Sequence, residues 1–228
     1  MSAAQIKGRV LIANRGEIAL RIQRACRALK LETVAVFSEA DRESRHVQEA
    51  DIALCIGPAS AAKSYLDPER LLLAARVTGA TAIHPGYGFL SENADFAEAV
   101  EAAGLIFVGP TAQSSRVMGD KISAKRALLE AGVPCVPGSD DSLPERIEDV
   151  AAIAKTVGYP VIVKATGGGG GKGMRVVWSA EELVEAVSLT AHEARQAFGN
   201  GTLYLEKFMQ KPRHIEIQVL CDTHGTAL

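Results

Sequence analysis

Five consecutive glycines occupy positions 167–171 of the chain, with Lys164 before them and Lys172 after them. Glycine has no Cβ, so its backbone adopts positive φ angles and approaches a ligand closely. A run of glycine N–H groups beside two ammonium groups suits a polyphosphate ligand. A flexible linker of low complexity is the alternative, but linkers are usually flanked by polar spacer residues. The β-branched residues at 161–163 and 176–177 therefore favour a loop that covers phosphate groups.

The pattern around the glycines is strand, loop and strand, which differs from two common phosphate-binding motifs. A Walker loop ends in Gly-Lys-Ser/Thr and opens a helix, whereas Lys172 is followed by Gly173, Met174 and a second strand pattern. A dinucleotide-binding fingerprint also leads into a helix, and the first strand–helix turn of this chain contains only Gly16. The sequence therefore predicts a hairpin lid and disfavours a nicotinamide-dependent oxidoreductase.

The overall composition is typical of a globular protein with one large or two small domains. The formal net charge of −2 gives no reason to expect nucleic acid or an anionic membrane as a partner. The N-terminus lacks the apolar segment of a secretory signal, and no apolar run approaches the ~20 residues of a membrane helix. We therefore expect a cytoplasmic protein. The cysteines show no paired spacing and are predicted to be buried, reduced thiols: Cys26, Cys55, Cys135 and Cys221.

The first half of the chain alternates strand and helix patterns. Apolar residues repeat at helical spacing in 17–30, and Asp67 followed by Pro68 is a suitable cap and first turn for a further helix. Repeated strand–helix units of this length predict a parallel, doubly wound α/β sheet. The predicted strands cover residues 9–13, 33–37, 52–56, 81–84 and 105–108, and another helix covers 94–103.

The second half is predicted to be a small α+β unit that carries the glycine loop, after a helical connector through residues 118–128. The alternation of apolar and polar residues in 214–220 predicts a strand, and 222–225 is typical of a hairpin turn. Because the partner arm only begins at 226–228, we expect the chain to be part of a longer protein. The other predicted elements are helices over 148–157 and 180–198 and a strand over 202–206.

Five motifs follow one another along the chain. They are Ile-Ala-Asn-Arg-Gly-Glu-Ile-Ala at 12–19, His-Pro-Gly-Tyr-Gly-Phe-Leu-Ser-Glu-Asn at 84–93, Met-Gly-Asp-Lys at 118–121, Lys164 with its glycines, and Pro-Arg-His-Ile-Glu-Ile-Gln at 212–218. In this order they closely resemble the N-terminal half of biotin carboxylase, an enzyme of the ATP-grasp superfamily. The resemblance runs from about residue 9 to the last residue without an evident gap.

The resemblance implies a domain order. A dinucleotide-like α/β domain comes first, a glycine-loop lid follows, and ATP lies between the lid and a C-terminal ATP-grasp domain. The chain is then expected to be truncated at the start of that third domain. The implied bounds are 1–118 for the N-terminal domain, 119–135 for the helical connector, 136–207 for the lid and 208–228 for the start of the C-terminal domain.

The resemblance also implies a two-step reaction. Bicarbonate is phosphorylated by MgATP to carboxyphosphate, and the carboxyl group then passes to N1 of biotin. The implied partners are a biotin carboxyl carrier protein or domain, a carboxyltransferase and a second copy in a homodimer. Acetyl-CoA carboxylase is the first expected parent complex, followed by propionyl-CoA and pyruvate carboxylases. A carbamoyl phosphate synthetase-like ATP-grasp ligase and a non-catalytic nucleotide-binding or assembly module are the alternatives.

Site residues follow from the resemblance, position by position. Lys121 and Lys164 match lysines that contact ATP phosphate, and Gly170 and Gly171 match glycines that donate N–H groups to it. A surface lysine is the alternative for both positions, although the place of Lys164 just before the glycines also favours contact with phosphate. Positions matched to the adenine-binding hinge are Glu206, Lys207, Phe208 and Met209, with His214 near the nucleotide and Tyr87 near biotin. A structural histidine and a rigid turn are the alternatives for the last two.

Groups that the family needs for catalysis are expected beyond Leu228. They are the paired acidic magnesium ligands, the arginine and lysine that bind bicarbonate, and the catalytic glutamate. No catalytic or metal-binding residue is therefore predicted within the chain, which alone is predicted to lack carboxylation activity. Three histidines match no family position and are predicted to lie on the surface: His46, His192 and His224.

Overall fold

The computed structural model describes residues 8–166, 173–222 and 224–228 of the chain. The chain divides into two separately packed units, Met1–Arg116 with Cys221–Leu228, and Val117–Leu220. The first unit contains the repeated strand–helix pattern. The second unit contains the two strands that flank the glycine segment, and the candidate residues of each unit are therefore described separately.

A five-stranded parallel sheet forms the base of the first unit. Its strands are β1 Arg9–Ile12, β2 Glu32–Ser38, β3 Ile52–Gly57, β4 Ala80–His84 and β5 Ile106–Phe107. They lie in the order β3-β2-β1-β4-β5. In the centre, Leu11 pairs with Val34 on one side and with Ile83 on the other. The predicted parallel, doubly wound α/β architecture is confirmed.

Both faces of this sheet are buried, which explains the nearly continuous apolar character of its strands. Successive side chains point to opposite faces, so Val10 and Leu11 belong to different hydrophobic clusters. Leu11 packs in a cluster with Leu71 and Phe96, whereas Val10 packs in one with Ile22. The sheet is therefore a rigid support for the loops at the carboxyl ends of its strands.

Local capping sets the helix boundaries of the first unit. Its helices are α1 Gly16–Ala28, α2 Arg45–Gln48, α3 Pro68–Thr78 and α4 Ala94–Ala102. The Asp67 carboxylate accepts a hydrogen bond from the backbone N–H of Arg70 at 3.2 Å, and Pro68 takes the first helical position. Gly79 ends α3 with a left-handed φ of 64°. The predicted helix after Asp67 is confirmed.

A three-stranded antiparallel sheet forms the base of the second unit. It comprises β6 Val161–Ala165, β7 Met174–Val177 and β8 Leu203–Lys207, in the order β7-β6-β8. Val163 and Leu205 are directly paired, point to the same face and are fully buried there. They pack with Val150 and Leu183, so helices cover this face of the sheet. Residues 167–172, between β6 and β7, lie outside the described residues.

The remaining helices are α5 Ala112–Gly119, α6 Lys121–Glu130, α7 Ile147–Val157 and α8 Leu183–Phe198. The single helical connector predicted through residues 118–128 is therefore wrong in one respect, because two helices meet there. The Asp120 carboxylate accepts a hydrogen bond from the backbone N–H of Ser123 at 2.8 Å and so begins a new helix. None of the helices within the described ranges is long and apolar enough to cross a membrane.

The predicted strand at 214–220 is wrong. None of its residues is in a strand, and Ile215 and Ile217 are 70% and 82% exposed. An alternating sequence becomes a strand only where a neighbouring strand satisfies its backbone, and no described segment pairs with this one. The predicted turn that follows is confirmed, because the Asp222 N–H donates to the Thr226 oxygen at 3.1 Å and Cys221 bridges to Ala227.

Two expectations about surface and core are also corrected. His46 is buried rather than exposed, since its helix packs against α1 and its backbone oxygen accepts a hydrogen bond from Gln23 Nε2 at 2.6 Å. Among the cysteines only Cys26 is buried, whereas Cys135 is half-buried and two are exposed. Cys55, one of the exposed cysteines, lies on β3, which has a neighbouring strand on only one side among the described residues.

Candidate functional site

Lys164 lies near the end of β6, three residues before the first glycine of the run. Its Nζ is 2.5 Å from Oε2 of Glu206 on the neighbouring strand β8. The register pairs Lys164 with Tyr204 and Ile162 with Glu206, so the lysine and the glutamate are diagonal neighbours on one face of the sheet. Their side chains are only 26% and 20% exposed, so water screens this ion pair less than a surface pair.

The ring of Tyr204 lies below the same ammonium group. Its centroid is 5.9 Å from Lys164 Nζ, within the range of a cation–π contact. Burial, together with the charge of Glu206, raises the pKa of the Tyr204 phenol, so the phenol stays neutral. Lys164 is thus held between a carboxylate and a neutral aromatic face.

A short extended segment fixes the outer edge of β8. The backbone N–H of Ser139 donates to the Leu205 oxygen at 2.7 Å, and that of Lys207 donates to the Pro137 oxygen at 2.8 Å. Gly138 forms a bridge to Glu206 between these two bonds, and a Cβ on it would lie 2.3 Å from the Leu205 oxygen. Only glycine fits at this position, and the backbone of the glutamate is consequently held in place.

The end of β8 is anchored by the side chain of Lys207. Its Nζ donates hydrogen bonds to the backbone oxygens of Gly158 and Tyr159, both at 2.8 Å. These bonds direct the ammonium group of Lys207 toward the backbone rather than toward a ligand. The alternation of the strand agrees, because Lys207 pairs with Val161 on the face opposite to Glu206.

The residues after β8 present apolar surface. The backbone N–H of Phe208 donates to the Pro160 oxygen at 3.0 Å, and its ring meets Trp178 edge to face with centroids 5.9 Å apart. Met209 is 53% exposed and Trp178 is 54% exposed. Glu206, Phe208 and Met209 therefore form a short extended run with a polar and an apolar part, which is what a purine base requires.

Lys121 is the exposed first residue of α6. Hydrogen bonds from Ser123 to the capping carboxylate lower the pKa of Asp120, which keeps the cap ionised. One turn further along the helix, Lys125 Nζ donates to the backbone oxygen of Ser139 at 3.1 Å. The structure thus ties the helix of Lys121 to the segment that pairs with β8.

His214 and the two loop glycines are not brought into this group. The His214 side chain is 85% exposed and lies 3.5 Å from the carboxylate of Glu216, so it is not packed against the Lys164–Glu206 pair. Its segment is the one that lacks a paired strand. Gly170 and Gly171 lie outside the described residues.

Tyr87 belongs to the first unit, in the loop that follows β4. The buried amide of Asn14 donates to the backbone oxygens of Pro85 at 2.7 Å and of Tyr87 at 2.9 Å. The Tyr87 hydroxyl donates to the carboxylate of Glu17, which raises the pKa of the phenol. A Cβ on Gly86 would lie 2.6 Å from the Ile18 side chain, so the loop after β4 is packed tightly on the turn after β1.

An open cleft of about 350 Å³ lies at the carboxyl ends of β1 and β4. In a doubly wound sheet, ligands bind where the strand order reverses, which here is between these two strands. Asn14 and Glu17 belong to the motif at 12–19, whose residues 14–17 are interpreted from the sequence as a tight strand–helix turn, so neither contact with Tyr87 was predicted. The cleft is lined by Asn14, Arg15, Gly16, Glu17, Ile18, Tyr87, Gly88 and Phe89.

A polar cluster supports one wall of this cleft. The Arg15 guanidinium lies 5.7 Å from the Tyr65 ring centroid and 6.0 Å from that of Phe89. Burial alone would raise the pKa of Asp41, but hydrogen bonds from Tyr65 and Ser38 and the charge of Arg15 outweigh it and hold the pKa below its ordinary value. The carboxylate therefore stays ionised and holds the cluster together.

The described residues offer magnesium no ligand set. Within residues 8–166, 173–222 and 224–228, no three His, Cys, Asp or Glu side chains are grouped so that they could hold a metal ion. Magnesium prefers several oxygen ligands in octahedral geometry. The carboxylate of Glu206 is already occupied by an ammonium group.

Comparison with known families gives two matched segments, whose boundary lies near the end of the first packed unit at Arg116. Residues 6–115 match the model described as "Biotin carboxylase, N-terminal domain". Residues 120–228 match the model described as "Carbamoyl-phosphate synthase L chain, ATP binding domain". The two matched segments together account for nearly the whole chain.

One curated relative is the biotin carboxylase of Pseudomonas aeruginosa, which is 62% identical over 220 residues. The alignment covers 96% of this chain and 49% of that protein. The chain therefore spans about half the length of the curated biotin carboxylases that it matches.

Two solved structures are similar over 98% of this chain. One is a biotin carboxylase-beta-gamma-ATP complex from Campylobacter jejuni, with 46% identity, a TM-score of 0.92 and 50% of that chain covered. The other is the biotin carboxylase domain dimer of Hydrogenobacter thermophilus 2-oxoglutarate carboxylase, in complex with MgADP, ADP and bicarbonate. It has 48% identity, a TM-score of 0.90 and 49% of that chain covered.

Proposed function

Because the chain belongs to the biotin carboxylase family, we propose that it supplies the N-terminal domain and the nucleotide-binding lid for the ATP-dependent carboxylation of biotin. The observation that carries the proposal is the placement of Lys164 and Glu206 on neighbouring antiparallel strands. Phe208 and Met209 follow directly after the second of these strands, β8. One sheet thereby presents a cation for phosphate and an extended run for a purine. The proposed domain bounds are 1–118, 119–135, 136–207 and 208–228.

The proposed ligand is ATP. Adenine would lie along the extended backbone from Glu206 to Met209, where one N–H and one carbonyl oxygen recognise its edge. The phosphates would meet Lys164, Lys121 and the N–H groups of Gly170 and Gly171, since ammonium groups and backbone donors suit polyphosphates. His214 would lie near the nucleotide. The relatives with bound beta-gamma-ATP, ADP, MgADP and bicarbonate support this assignment.

The proposed chemistry begins with attack of a bicarbonate oxygen on the γ-phosphorus, which breaks the bond to ADP. The carboxyphosphate then gives up its carboxyl group to biotin N1, the bond from the carboxyl carbon to the phosphate oxygen breaks, and inorganic phosphate leaves with the N1 proton. Lysine ammonium groups compensate the negative charge that moves onto the leaving ADP. A closed lid also excludes water from a reactive intermediate. The groups that hold bicarbonate and magnesium are expected in the part of the family's length that this chain does not span.

Biotin is proposed to approach the cleft of the first unit near Tyr87. The Tyr87 hydroxyl donates its one hydrogen bond to the Glu17 carboxylate, so its oxygen is left as a hydrogen-bond acceptor for the ureido N–H. The proposed partners are a biotin carboxyl carrier, a carboxyltransferase and a second copy of the chain. The dimer of the Hydrogenobacter thermophilus domain supports the last of these.

Calorimetric titration with ATP tests the proposal. Lys164→Ala is expected to weaken ATP binding by about tenfold or more, because a charge-assisted contact to phosphate is lost. Lys155→Ala is the matched control, since Lys155 is exposed on α7, and it should bind ATP as the wild type does. Equal affinities of all three proteins would contradict the proposal.

Turnover distinguishes the alternatives. The 228-residue chain alone should show no biotin-dependent ATP hydrolysis, whereas a longer protein that contains this chain should show it. A carbamoyl phosphate synthetase-like ligase would ignore biotin, and a non-catalytic module would bind ATP without hydrolysing it in either form. Biotin-dependent hydrolysis by the chain alone would contradict the proposed division of labour.

A further inference from the structure

A second cavity in the first unit, of about 220 Å³, lies at the amino ends of β2 and β3 beside the end of α1. Because these strands run parallel to β1, this is the edge of the sheet opposite to the cleft beside Tyr87. Its volume is several times the ~30 Å³ of one water molecule. We propose that the cavity binds an α-amino acid, whose carboxylate meets Lys30 and Arg27 and whose ammonium group meets Asp51. The proposal goes beyond the proposed function and does not depend on it.

The first argument is the backbone of Lys30, which lines the cavity just after α1. The N–H of Leu31 donates to the Cys26 oxygen at 2.9 Å, and the N–H of Lys30 donates to the Arg27 oxygen at 3.1 Å. This is the hydrogen-bond pattern of a Schellman motif, in which the residue at the place of Lys30 is usually glycine. The φ of Lys30 is 59°, which strains a residue that has a Cβ. Strain of this kind clusters at ligand-binding sites and favours a role for the lysine side chain.

The second argument is that opposite charges line the cavity without meeting. In the part of the chain that the structure describes, no ion pair joins Lys30 to Asp51 or to Glu32. Glu32 has another partner, since its carboxylate pairs with Arg9 at 2.7 Å. Arg27 donates to the Glu49 backbone oxygen at 3.3 Å through one nitrogen, so its other N–H groups remain for a ligand. A bridging molecule with both charges would join the two sides of the cavity.

The third argument is that the Asp51 carboxylate is held in place. The backbone N–H and the hydroxyl of Thr33 both donate to Asp51 Oδ2 at 2.8 Å. These hydrogen bonds lower the pKa of Asp51, so the group is ionised at neutral pH. Because both bonds go to Oδ2, an ammonium group can still approach Oδ1.

The fourth argument is the amide of Gln23, which also lines the cavity and is only 1% exposed. Its Nε2 donates to the His46 backbone oxygen at 2.6 Å. That oxygen can only accept, so the orientation of the amide is fixed. Gln23 Oε1 then has no hydrogen-bond donor among the described residues. Buried acceptors without a donor are rare in folded proteins, and the ammonium group of the ligand would supply one.

These groups select the ligand by its charges. A simple anion would compensate Lys30 and Arg27 but would be repelled by Asp51. A simple cation would meet Asp51 but would be repelled by the two basic side chains. An α-amino acid carries one ammonium and one carboxylate group in a molecule of suitable size, and it therefore satisfies both sides of the cavity.

Thermal unfolding of the 228-residue chain is the first test. The twenty standard L-α-amino acids are added one at a time at millimolar concentration. At least one should raise the midpoint of unfolding, because a ligand that binds only the folded state stabilises it. Sodium acetate and methylamine hydrochloride carry the two charges separately and should give no shift at the same concentration.

Lys30→Gly is the decisive variant, since it removes the ammonium group and relieves the backbone. The unliganded variant should unfold at a higher temperature than the wild type, because glycine adopts a positive φ without strain. Its affinity for the amino acid with the largest shift, measured by calorimetry, should fall by about tenfold or more. A purely structural lysine would not give both results.

Further variants serve as a second test and as controls. Asp51→Asn keeps an oxygen for Thr33 but loses the charge, and it should weaken binding by a similar factor. Lys30→Arg keeps the charge and should retain binding. Lys63→Met removes an exposed lysine of the same unit that does not line the cavity, and it should bind as the wild type does.

A wild-type chain that none of the amino acids stabilises would overturn the inference. Equal binding by the wild type and Lys30→Gly would also overturn it, as would a shift of the same size with acetate or methylamine alone. None of these outcomes affects the proposed function, which is tested by the titrations with ATP.

Discussion

The ammonium group of Lys125 donates a hydrogen bond to the backbone oxygen of Ser139 at 3.1 Å. Lys125 lies about one helical turn after Lys121, and Ser139 pairs with Leu205 of β8. The bond therefore ties the helix that begins at Lys121 to the strand that carries Glu206. We expect this tie to fix the spacing of the lysines proposed to contact phosphate.

Lys125→Met should weaken both stability and ATP binding. Methionine keeps the aliphatic stem but loses the donor, so the free energy of unfolding should fall by about 1 kcal/mol. ATP affinity should fall by about threefold or more, because α6 is less firmly positioned. Urea unfolding and calorimetry measure the two effects. Lys155→Met, on an exposed position of α7, is the control, and equal effects in both variants would refute the role of the tie.

Gly138→Ala should destabilise the second unit. An added Cβ would lie 2.3 Å from the Leu205 oxygen and 2.9 Å from Glu206 Cα, so the segment must move away from β8. A loss of about 1 to 3 kcal/mol in the free energy of unfolding is expected from such overpacking. The same variant should bind ATP more weakly, because Glu206 loses its edge support.

Gly119→Ala is the control for that substitution. Gly119 ends α5, and among the described residues an added Cβ would meet no heavy atom within 4 Å beyond its chain neighbours and its own helix backbone. Alanine there should leave stability unchanged or raise it by up to about 1 kcal/mol, since it favours the helix. A Gly138→Ala protein as stable as Gly119→Ala would show that the segment beside β8 is not tightly packed.

Stability should fall as the pH is lowered below about 6.5. Burial lowers the pKa of His46 and of His84, so near pH 6 the unfolded chain binds protons that the folded protein does not. The loss begins at the unfolded pKa of about 6.5 and continues down to the lowered folded values, with a limiting slope of about 1.4 kcal/mol per pH unit for each histidine. Urea unfolding over this range measures the slope.

Substitution separates the two contributions to that slope. His46→Leu should reduce the pH dependence of the free energy of unfolding, because this buried group is then absent. His192→Leu, on the exposed face of α8, is the control and should leave that pH dependence unchanged. His84 also accepts a hydrogen bond from the Gly86 N–H through Nδ1 at 3.0 Å, which protonation would break. An identical slope in the wild type, the His46→Leu variant and the His192→Leu variant would argue against the buried state of His46.

Asn14→Ala should loosen the loop that carries Tyr87. The amide of Asn14 is buried and donates to two backbone oxygens, so its loss leaves both without that donor. A cost of about 1 to 3 kcal/mol in stability is expected, together with a higher KM for biotin in the longer protein. Asn200→Ala, at an exposed position in the turn before β8, is the control and should leave the KM for biotin unchanged. If both variants had the wild-type KM for biotin, the cleft beside Tyr87 would not be the place where biotin binds.

Elements with local signals could be predicted from the sequence. The helix after Asp67 has its cap, its proline and its terminal glycine within one stretch, and the structure places it as predicted. The alternation in 214–220 carries an equally clear local signal, yet no strand forms there. Strand formation depends on a partner, and a partner is not encoded in the alternating segment itself.

The site could be predicted by residue but not by contact. Lys164 and Glu206 were both named from motifs, whereas their ion pair depends on the register between strands 42 positions apart. His46 was expected on the surface because no motif includes it, and its burial arises from packing between α1 and α2. Glu17 was interpreted as part of a tight turn, since nothing local indicates that Tyr87 would donate to it.

A crystal structure of the protein with bound ATP would show which group the ammonium of Lys164 contacts. We expect Lys164 Nζ to lie within hydrogen-bond distance of a phosphate oxygen, about 2.7 to 3.2 Å, while Phe208 and Met209 border the adenine. A nucleotide bound elsewhere, with Lys164 still directed only at Glu206 and away from every phosphate, would contradict it.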